Sequence, residues 1–264
     1  MNDDDRHAVL ETHEIIKRFG GLTAVDSFSF EVKNRDISSL IGPNGAGKTT
    51  VFNVITGIYR PEAGQVLFNG NNIEGLKPHQ IVTRGIARTF QNIRLFPNIT
   101  CLENIMAGQH CRARAGVWSS IFRTKYQRAE EARIEEVAEK RLEQVGLSRY
   151  RNELAKNIAY GNQRMLEIGR ALAADPTLLV LDEPSSGLND TETQDLITFL
   201  KNLRKENLTI LIIEHDMNVV MGISDWVTVM DEGAKIAEGP PEKIYNDPLV
   251  IEAYLGKPEY EDNF

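Results

Sequence analysis

A glycine-rich nonapeptide constrains the fold of this chain more than any other stretch. It reads GPNGAGKTT over residues 42–50 and fits the phosphate-binding pattern G-x-x-x-x-G-K-[ST]. The preceding residues 37–41 predict a short buried strand, and residues 49–56 predict the first turns of a helix. A strand that turns through such a loop into a helix is the context in which this motif binds a nucleoside triphosphate.

The residue types in this loop explain how it would hold phosphate. Glycines let the backbone curl so that successive N–H groups point at the anion, and the helix N-terminus adds partial positive charge. We predict that Lys48 reaches the β- and γ-phosphates and that the Thr49 hydroxyl binds Mg²⁺. The predicted nucleotide-binding residues are Gly42, Pro43, Asn44, Gly45, Ala46, Gly47, Lys48, Thr49 and Thr50.

Length, charge and cysteine usage limit the remaining possibilities. The 264 residues permit one large domain or a domain with an inserted subdomain. A net charge of −8 disfavours a broad nucleic-acid surface, so we expect no nucleic-acid partner. No apolar stretch approaches the roughly 20 residues that span a bilayer, and the acidic start is unlike a secretory signal. Cys101 and Cys111 lack metal-like spacing, which favours free thiols in the cytoplasm.

The order of the other predicted elements indicates an α/β fold. Apolar runs at 177–181 and 208–213 alternate with helical patterns, which is typical of parallel strands covered on both faces. Predicted strands at 9–16, 24–32 and 65–70, of which the second has alternating apolar side chains, indicate a small antiparallel sheet beside this core.

Between residues 97 and 159 the sequence shows helical patterns and no strand patterns. Thr100 is placed to cap a helix that begins at Cys101, and residues 127–145 carry apolar side chains at helical spacing among many charges. We interpret this region as an inserted helical subdomain without strands. The basic and aromatic stretch at 111–126 is interpreted as a solvated connection, with contact to a partner or to lipid headgroups as the alternative.

Two adjacent acids end the apolar run at 177–181. Asp182 is predicted to support the metal ion, either directly or through water, as a strand-end carboxylate does in P-loop proteins. Successive side chains of a strand point to opposite faces, so Glu183 is expected to have a different role from Asp182. Glu183 is predicted to orient or deprotonate the attacking water.

Two further polar residues complete the predicted site. His215 ends the next apolar strand, so we expect it at the same edge of the sheet, where it would hydrogen-bond the γ-phosphate and the attacking water. The amide of Gln91, at the start of the helical insertion, is a candidate ligand for Mg²⁺ or water. The predicted catalytic residues are Glu183, His215, Lys48 and Gln91, and the predicted metal ligands are Thr49, Gln91 and Asp182.

These segments, in this order, resemble the ATP-binding subunits of ABC transporters over nearly the whole chain. The matching segments are the P-loop at 42–50, the Q-loop at Gln91, the signature at 158–164, the acid pair at 182–183, the D-loop at 186–189 and the switch histidine His215. Phe19 stands where this family places an aromatic side chain that stacks on adenine. The resemblance implies a P-loop NTPase (RecA-like) parallel sheet with a small antiparallel β subdomain and an inserted α-helical subdomain.

The resemblance also implies one ABC ATPase domain over residues 8–255. Its nucleotide core, including the antiparallel sheet, would comprise about 8–96 and 160–240. The helical subdomain would cover about 97–159, and a C-terminal tail would follow at 241–264.

The signature segment departs from the family pattern L-S-G-G-Q. The serine that touches the γ-phosphate of the ATP held by the opposite subunit is replaced by Ala159. Gly161 and the following helix N-terminus remain, so backbone N–H groups and the helix dipole are still able to bind phosphate. The residues expected to contact that nucleotide are Ala159, Tyr160, Gly161 and Asn162.

The family resemblance implies a working assembly as well as a site. Two subunits, either two copies or this chain with a related ATPase, would form a head-to-tail dimer around two ATP molecules with Mg²⁺. The dimer would pull on integral membrane permease subunits and act indirectly with a periplasmic or extracellular solute-binding protein. The chain would then be peripheral at the cytoplasmic face of the inner (plasma) membrane.

Several segments are similar to branched-chain amino-acid importer subunits in particular. They are residues 88–96 (RTFQNIRLF), 159–161 (AYG), the insertion at 111–145, 213–217 (IEHDM) and 250–256 (VIEAYLG). Urea or amide uptake and lipopolysaccharide export are alternatives within the family. A soluble ABC ATPase acting on DNA or ribosomes, or a regulatory module that binds without turnover, are alternatives outside transport. The acidic charge disfavours the first of these two, and the presence of Glu183 and His215 disfavours the second.

Overall fold

The computed structural model describes residues 7–109 and 125–255, in two compact units. The first unit holds the described residues up to Pro78 and from Leu200 onward, and the second holds those from His79 to Phe199. Cys111, most of the stretch at 111–126 and the end of the predicted tail lie outside the described residues.

The helices and strands are numbered in chain order. The strands are β1 (Ala8–Phe19), β2 (Leu22–Lys33), β3 (Ile37–Ile41), β4 (Ala63–Phe68), β5 (Asn71–Asn72), β6 (Ile86–Arg88), β7 (Leu178–Asp182), β8 (Thr209–Ile213), β9 (Trp226–Asp231) and β10 (Ala234–Gly239). The helices are α1 (Lys48–Ile55), α2 (Pro78–Arg84), α3 (Cys101–Gly108), α4 (Lys125–Gln144), α5 (Tyr160–Leu172), α6 (Asp190–Lys205), α7 (Met217–Ile223), α8 (Pro241–Tyr245) and α9 (Pro248–Leu255).

The predicted antiparallel sheet is confirmed in the first unit, with strand order β2-β1-β4-β5. In β2 the buried side chains of Phe28, Phe30 and Val32 alternate with more exposed ones, as a sheet with one packed face requires. Two strands are longer than predicted, since β1 continues to Phe19 instead of ending at residue 16, and β2 begins at Leu22 instead of residue 24. The turn between β1 and β2 therefore consists of only Gly20 and Gly21.

The same unit contains the parallel ladder that carries the glycine-rich loop. Strand β3 pairs in parallel with β8 on one side and with β9 on the other, and β10 closes the edge as an antiparallel partner of β9. Every residue of β3 and β8 is buried, which explains why β8 is apolar apart from Thr209. The C-terminal segment that was expected as a tail contains α8 and α9, and Val250 of α9 joins the core around Ile41 and Val229.

The second unit combines a parallel strand pair with a group of helices. Strands β6 and β7 pair in parallel, with Ile86 opposite Leu178 and Arg88 opposite Val180. Helix α3 approaches α5 so closely that a Cβ at Gly108 would lie 2.1 Å from the Arg170 carbonyl oxygen. The described residues between 97 and 159 form helices and turns with one isolated bridge, while the subdomain boundaries stay a prediction.

Cys101 begins α3 as a free, buried thiol, in agreement with the expectation from sequence. Burial and the nearby Glu153 carboxylate raise the pKa of Cys101 to about 11. Within the described ranges, every helix is too short or too polar to cross a bilayer.

The predicted cap at Thr100 is confirmed as a reciprocal capping box. The Glu103 N–H donates to the Thr100 hydroxyl at 3.2 Å, and the Thr100 N–H donates to the Glu103 carboxylate at 2.7 Å. Two N–H groups at the start of α3 are thereby satisfied by side chains.

We expect Thr100→Ala to lower the free energy of unfolding by about 1 kcal/mol, because one end of the capping box is lost. Urea unfolding measures the change. The matched control is Thr198→Ala on the exposed face of α6, where no cap is removed and stability should be unchanged or slightly higher. Equal losses in both variants would contradict a capping role for Thr100.

Candidate nucleotide-binding and hydrolysis site

The glycine-rich loop in the first unit depends on two close backbone approaches. Gly42 has φ +148°, and a Cβ there would lie 1.9 Å from the Met230 carbonyl oxygen. Gly47 has φ +103°, and a Cβ there would lie 2.3 Å from the Ala24 carbonyl oxygen. Neither position tolerates a side chain, so strands β9 and β2 hold the loop in its curled path.

The end of this loop places the predicted phosphate and metal ligands. Helix α1 begins at Lys48 directly after Gly47, which has no side chain to cap the N–H groups of the first turn. The Lys48 ammonium is buried and donates to the Gly42 and Pro43 carbonyl oxygens at 2.7 and 2.8 Å. Thr49 is exposed in the first turn of α1. The arrangement presents a helix N-terminus, an ammonium and a hydroxyl along one short stretch of chain.

Phe19, the predicted adenine-stacking residue, ends β1 at the surface. Its ring is 41% exposed and packs edge-on against Tyr59, with the ring centroids 5.1 Å apart. The Lys17 ammonium lies 5.4 Å from the Phe19 centroid. This exposed ring is available for stacking, and its role with adenine stays a prediction.

A helix at the far end of the chain packs beside the loop. Leu249, Glu252 and Ala253 of α9 line a cavity of about 670 Å³ together with loop residues 43–46. Burial raises the pKa of the Tyr254 hydroxyl, and a hydrogen bond with the Gly42 backbone acts in the opposite direction. Sequence reasoning missed this contact, since the apolar pattern at 248–255 does not say where a helix docks.

His215 lies just after β8 in the first unit and is exposed. Its backbone N–H donates to the carboxylate of Glu214 at 3.2 Å, and Glu214 itself is buried. Asp216 then caps α7 by accepting the Asn218 N–H at 2.8 Å. The histidine therefore stands between a buried acid and a capped helix.

In the second unit, Asp182 ends β7 as a buried carboxylate. Its Oδ2 accepts from the Arg88 guanidinium at 2.7 Å, and each side chain is only 6% exposed. Sequence reasoning did not identify Arg88 as its partner, because the two residues lie 94 positions apart and meet only through the pairing of β6 with β7.

Glu183 follows Asp182 in a backbone conformation that side chains rarely adopt. Its φ is +46°, in the left-handed region that costs a non-glycine residue of order 1–3 kcal/mol. The side chain is half-buried, and its Oε2 accepts from the Gln91 Nε2 at 2.8 Å. The structure therefore brings together two of the predicted catalytic residues at the end of β7.

The signature and D-loop segments of this unit pack against each other. Ala159 is the N-cap of α5, and the Tyr160 hydroxyl donates to the Ser186 carbonyl oxygen at 3.3 Å. A Cβ at Gly187 would lie 2.9 Å from the Tyr160 ring, and one at Gly161 would lie 2.4 Å from a carboxylate oxygen of Glu192. Position 187, where φ is +79°, therefore favours glycine on two grounds, whereas the flexible Glu192 side chain could move to admit a Cβ at position 161.

The loop, the strand-end acids and the signature helix define a P-loop ATPase of the ATP-binding cassette class. The chain belongs to the ABC transporter family, whose model matches residues 25–186. A second model, described as a branched-chain amino acid ATP-binding cassette transporter, matches residues 234–260.

Similar proteins extend the match over the length of the chain. BraF, a high-affinity branched-chain amino acid transport ATP-binding protein of Pseudomonas aeruginosa, is 46% identical over 250 residues, which is 94% of this chain and 98% of that protein. LivG of Escherichia coli (strain K12), with the same description, is 46% identical over 251 residues with the same two coverages. A crystal structure of the ADP conformation of an ATP-binding cassette of an ABC transporter has a TM-score of 0.83 and 35% identity, covering 95% of this chain and 100% of that chain. The predicted ABC ATPase fold is confirmed.

We expect Arg88→Met to lower the free energy of unfolding by about 3–5 kcal/mol, because it leaves the buried Asp182 carboxylate without its cation. Denaturant unfolding of the whole chain measures the loss. Arg84→Met, on the exposed end of α2, removes the same charge without a buried partner and should change stability by less than about 0.5 kcal/mol. A small loss for Arg88→Met would contradict the importance of the pair.

Proposed function

We propose that this chain is the ATP-hydrolysing subunit of an importer for branched-chain amino acids. The hydrolytic part of the proposal rests on the Glu183 carboxylate, which is held beyond β7 by the Gln91 amide at 2.8 Å. The transport part rests on the 46% identity to the branched-chain amino acid transport proteins of two bacteria. Urea or amide uptake and lipopolysaccharide export lack an equivalent observation.

The proposed reaction is in-line attack of water on the γ-phosphorus of ATP. The bond from that phosphorus to the bridging oxygen breaks, ADP leaves, and Glu183 accepts the proton of the attacking water. Lys48 and the N–H groups at the start of α1 would stabilise the charge on the phosphate oxygens. His215 would hydrogen-bond the γ-phosphate, and Phe19 would stack on the adenine.

The residues present fit a magnesium ion that takes few protein ligands. Within the described ranges, no group of three or more His, Cys, Asp or Glu side chains could hold a metal by itself. Mg²⁺ is commonly bound by one or two protein groups together with nucleotide phosphates and water. Thr49 would ligate it directly, Gln91 through its amide oxygen, and Asp182 directly or through water. When bound, Mg²⁺ would neutralise charge on the β- and γ-phosphates.

ABC ATPase cassettes act as dimers with membrane permeases, and we propose the same arrangement here. The signature residues 159–162 would contact the ATP held by the opposite subunit, which is either a second copy or a related ATPase. The dimer would sit at the cytoplasmic face of the inner membrane on integral permease subunits, with a solute-binding protein acting from the other side. A monomer would then bind ATP without efficient turnover.

We expect Glu183→Gln to reduce ATP turnover of the assembled transporter at least about a hundredfold, because the amide cannot accept the proton of water. ATP should remain bound in a trapped dimer, and uptake of labelled leucine should stop. Phosphate release, bound-nucleotide analysis and vesicle uptake measure the three effects.

The control for this substitution is Glu242→Gln on the exposed start of α8, which should leave turnover and uptake unchanged.

In the parent transporter, unlabelled isoleucine and valine should compete with leucine, and urea should not. Normal turnover in Glu183→Gln would overturn the base assignment, and competition by urea alone would favour the amide importer.

Ala159→Ser restores a hydroxyl at the N-cap of α5. We expect it to raise the free energy of unfolding by about 1 kcal/mol through a bond to an N–H of the first turn. We also expect it to raise ATP turnover of the assembled transporter, because the hydroxyl would reach the γ-phosphate across the dimer. Ala159→Val, which has no acceptor, should do neither. Unchanged turnover in the serine variant would mean that the backbone N–H groups suffice.

A further inference from the structure

We propose that Arg164 is a positioning residue that ties the Q-loop, the signature segment and the D-loop together. With Glu167 and Tyr160, it forms a group of side chains on α5 that we call the Arg164 cluster. The proposal deepens the proposed function and rests on it, since it concerns what holds Gln91 beside Glu183 during turnover. All of these residues belong to the second unit.

Arg164 binds two consecutive carbonyl groups of the Q-loop. It is completely buried, its Nη1 donates to the Phe90 carbonyl oxygen at 2.9 Å, and its Nη2 donates to the Gln91 carbonyl oxygen at 2.9 Å. A planar guanidinium reaches two acceptors at once in a fixed geometry, which an ammonium cannot do. The main chain of Gln91 is therefore held by α5.

Glu167 binds the main chain at the other end of the same segment, at Arg94. One of its oxygens accepts the Arg94 N–H at 3.0 Å, and the other accepts from Arg164 at 3.1 Å. Burial raises the pKa of this carboxyl, while the Arg94 N–H and the guanidinium groups of Arg164 and Arg170 act in the opposite direction. The segment from Phe90 to Arg94 is thus fastened to α5 at both ends.

Tyr160 extends the cluster to the D-loop. Arg164 Nη2 lies 3.4 Å from the Tyr160 hydroxyl, which donates to the Ser186 carbonyl oxygen at 3.3 Å. Tyr160 stands at the third position of the signature, where the pattern L-S-G-G-Q has glycine. A glycine could form neither hydrogen bond, so this departure from the pattern creates the link to the D-loop.

The consequence for the site follows from Gln91 itself. Its carbonyl oxygen is bound by Arg164, while its side-chain amide donates to Glu183. If the main chain of Gln91 were held less firmly, its side-chain amide, which orients the Glu183 carboxylate, would occupy a wider range of positions. Misplacement of a catalytic group by about 1 Å can cost on the order of a hundredfold in rate. Nucleotide affinity, which depends on the P-loop, should be little affected.

The first test measures hydrogen exchange of the Q-loop in the full chain. Arg164→Lys keeps the buried charge but cannot donate to the Phe90 and Gln91 carbonyl oxygens at the same time. Without those two hydrogen bonds the segment should open locally more often, so the amides of a peptide over 88–96 should exchange about tenfold faster or more. A peptide over β3 should be unchanged. Tyr160→Phe removes only the hydroxyl and should loosen a peptide over 184–189. The matched controls are Arg149→Lys and Tyr150→Phe, both remote from the Q-loop in sequence.

The second test separates kcat from KM in the assembled transporter. Arg164→Lys should lower kcat about tenfold while KM for ATP stays within about twofold, the pattern of an interaction used in the transition state. Arg149→Lys should leave both constants unchanged. A purely structural defect would instead lower the amount of folded protein and leave the kcat of the remaining molecules intact.

Each outcome decides one part of the proposal. Unchanged exchange over 88–96 in Arg164→Lys would overturn the positioning contact. Faster exchange with an unchanged kcat would overturn its role in turnover. If the assembled parent transporter showed no ATPase activity, the proposed function would fail, and the exchange result would still decide whether Arg164 holds the Q-loop.

Discussion

The close backbone approach of Gly42 and Gly47 to neighbouring carbonyl groups is the constraint on which the nucleotide-binding loop depends. With Cβ distances of 1.9 and 2.3 Å to the Met230 and Ala24 oxygens, only glycine fits either position. The loop therefore takes its shape from its contacts with strands β9 and β2. Those contacts fix the positions of Lys48 and the start of α1, which are the groups predicted to bind phosphate.

The second unit uses buried charge as well as close glycine packing to arrange its polar groups. Arg88 with Asp182, and Arg164 with Glu167, are both nearly or completely buried pairs. Buried ion pairs add little net stability compared with apolar packing, but losing one partner is costly. Their value here is geometric, because each pair holds a carboxylate or a main-chain segment that lies next to Glu183 or Gln91 in the chain.

Much of this arrangement was predictable because it is encoded locally. The Thr100 capping box needs residues three positions apart, and the loop motif with its strand and helix lies within twenty residues. The order of motifs then predicted the family, which the comparisons confirmed. The partners of Asp182 and Gln91 were not predictable, because Arg88 and Glu183 reach them only after distant segments pair. The catalytic and metal-binding roles stay predictions.

The sequence by itself determined the fold class, the phosphate-binding loop and the start of α3, since each depends on residue type and short spacing. Tertiary structure alone decided that α9 lies beside the loop and that Tyr160 reaches Ser186. It also decided that the Arg164 guanidinium binds the Q-loop main chain. The physical reason is that main-chain carbonyl groups are the same at every position. The sequence therefore shows that an arginine is present at position 164, but not that it binds the Phe90 and Gln91 carbonyl groups.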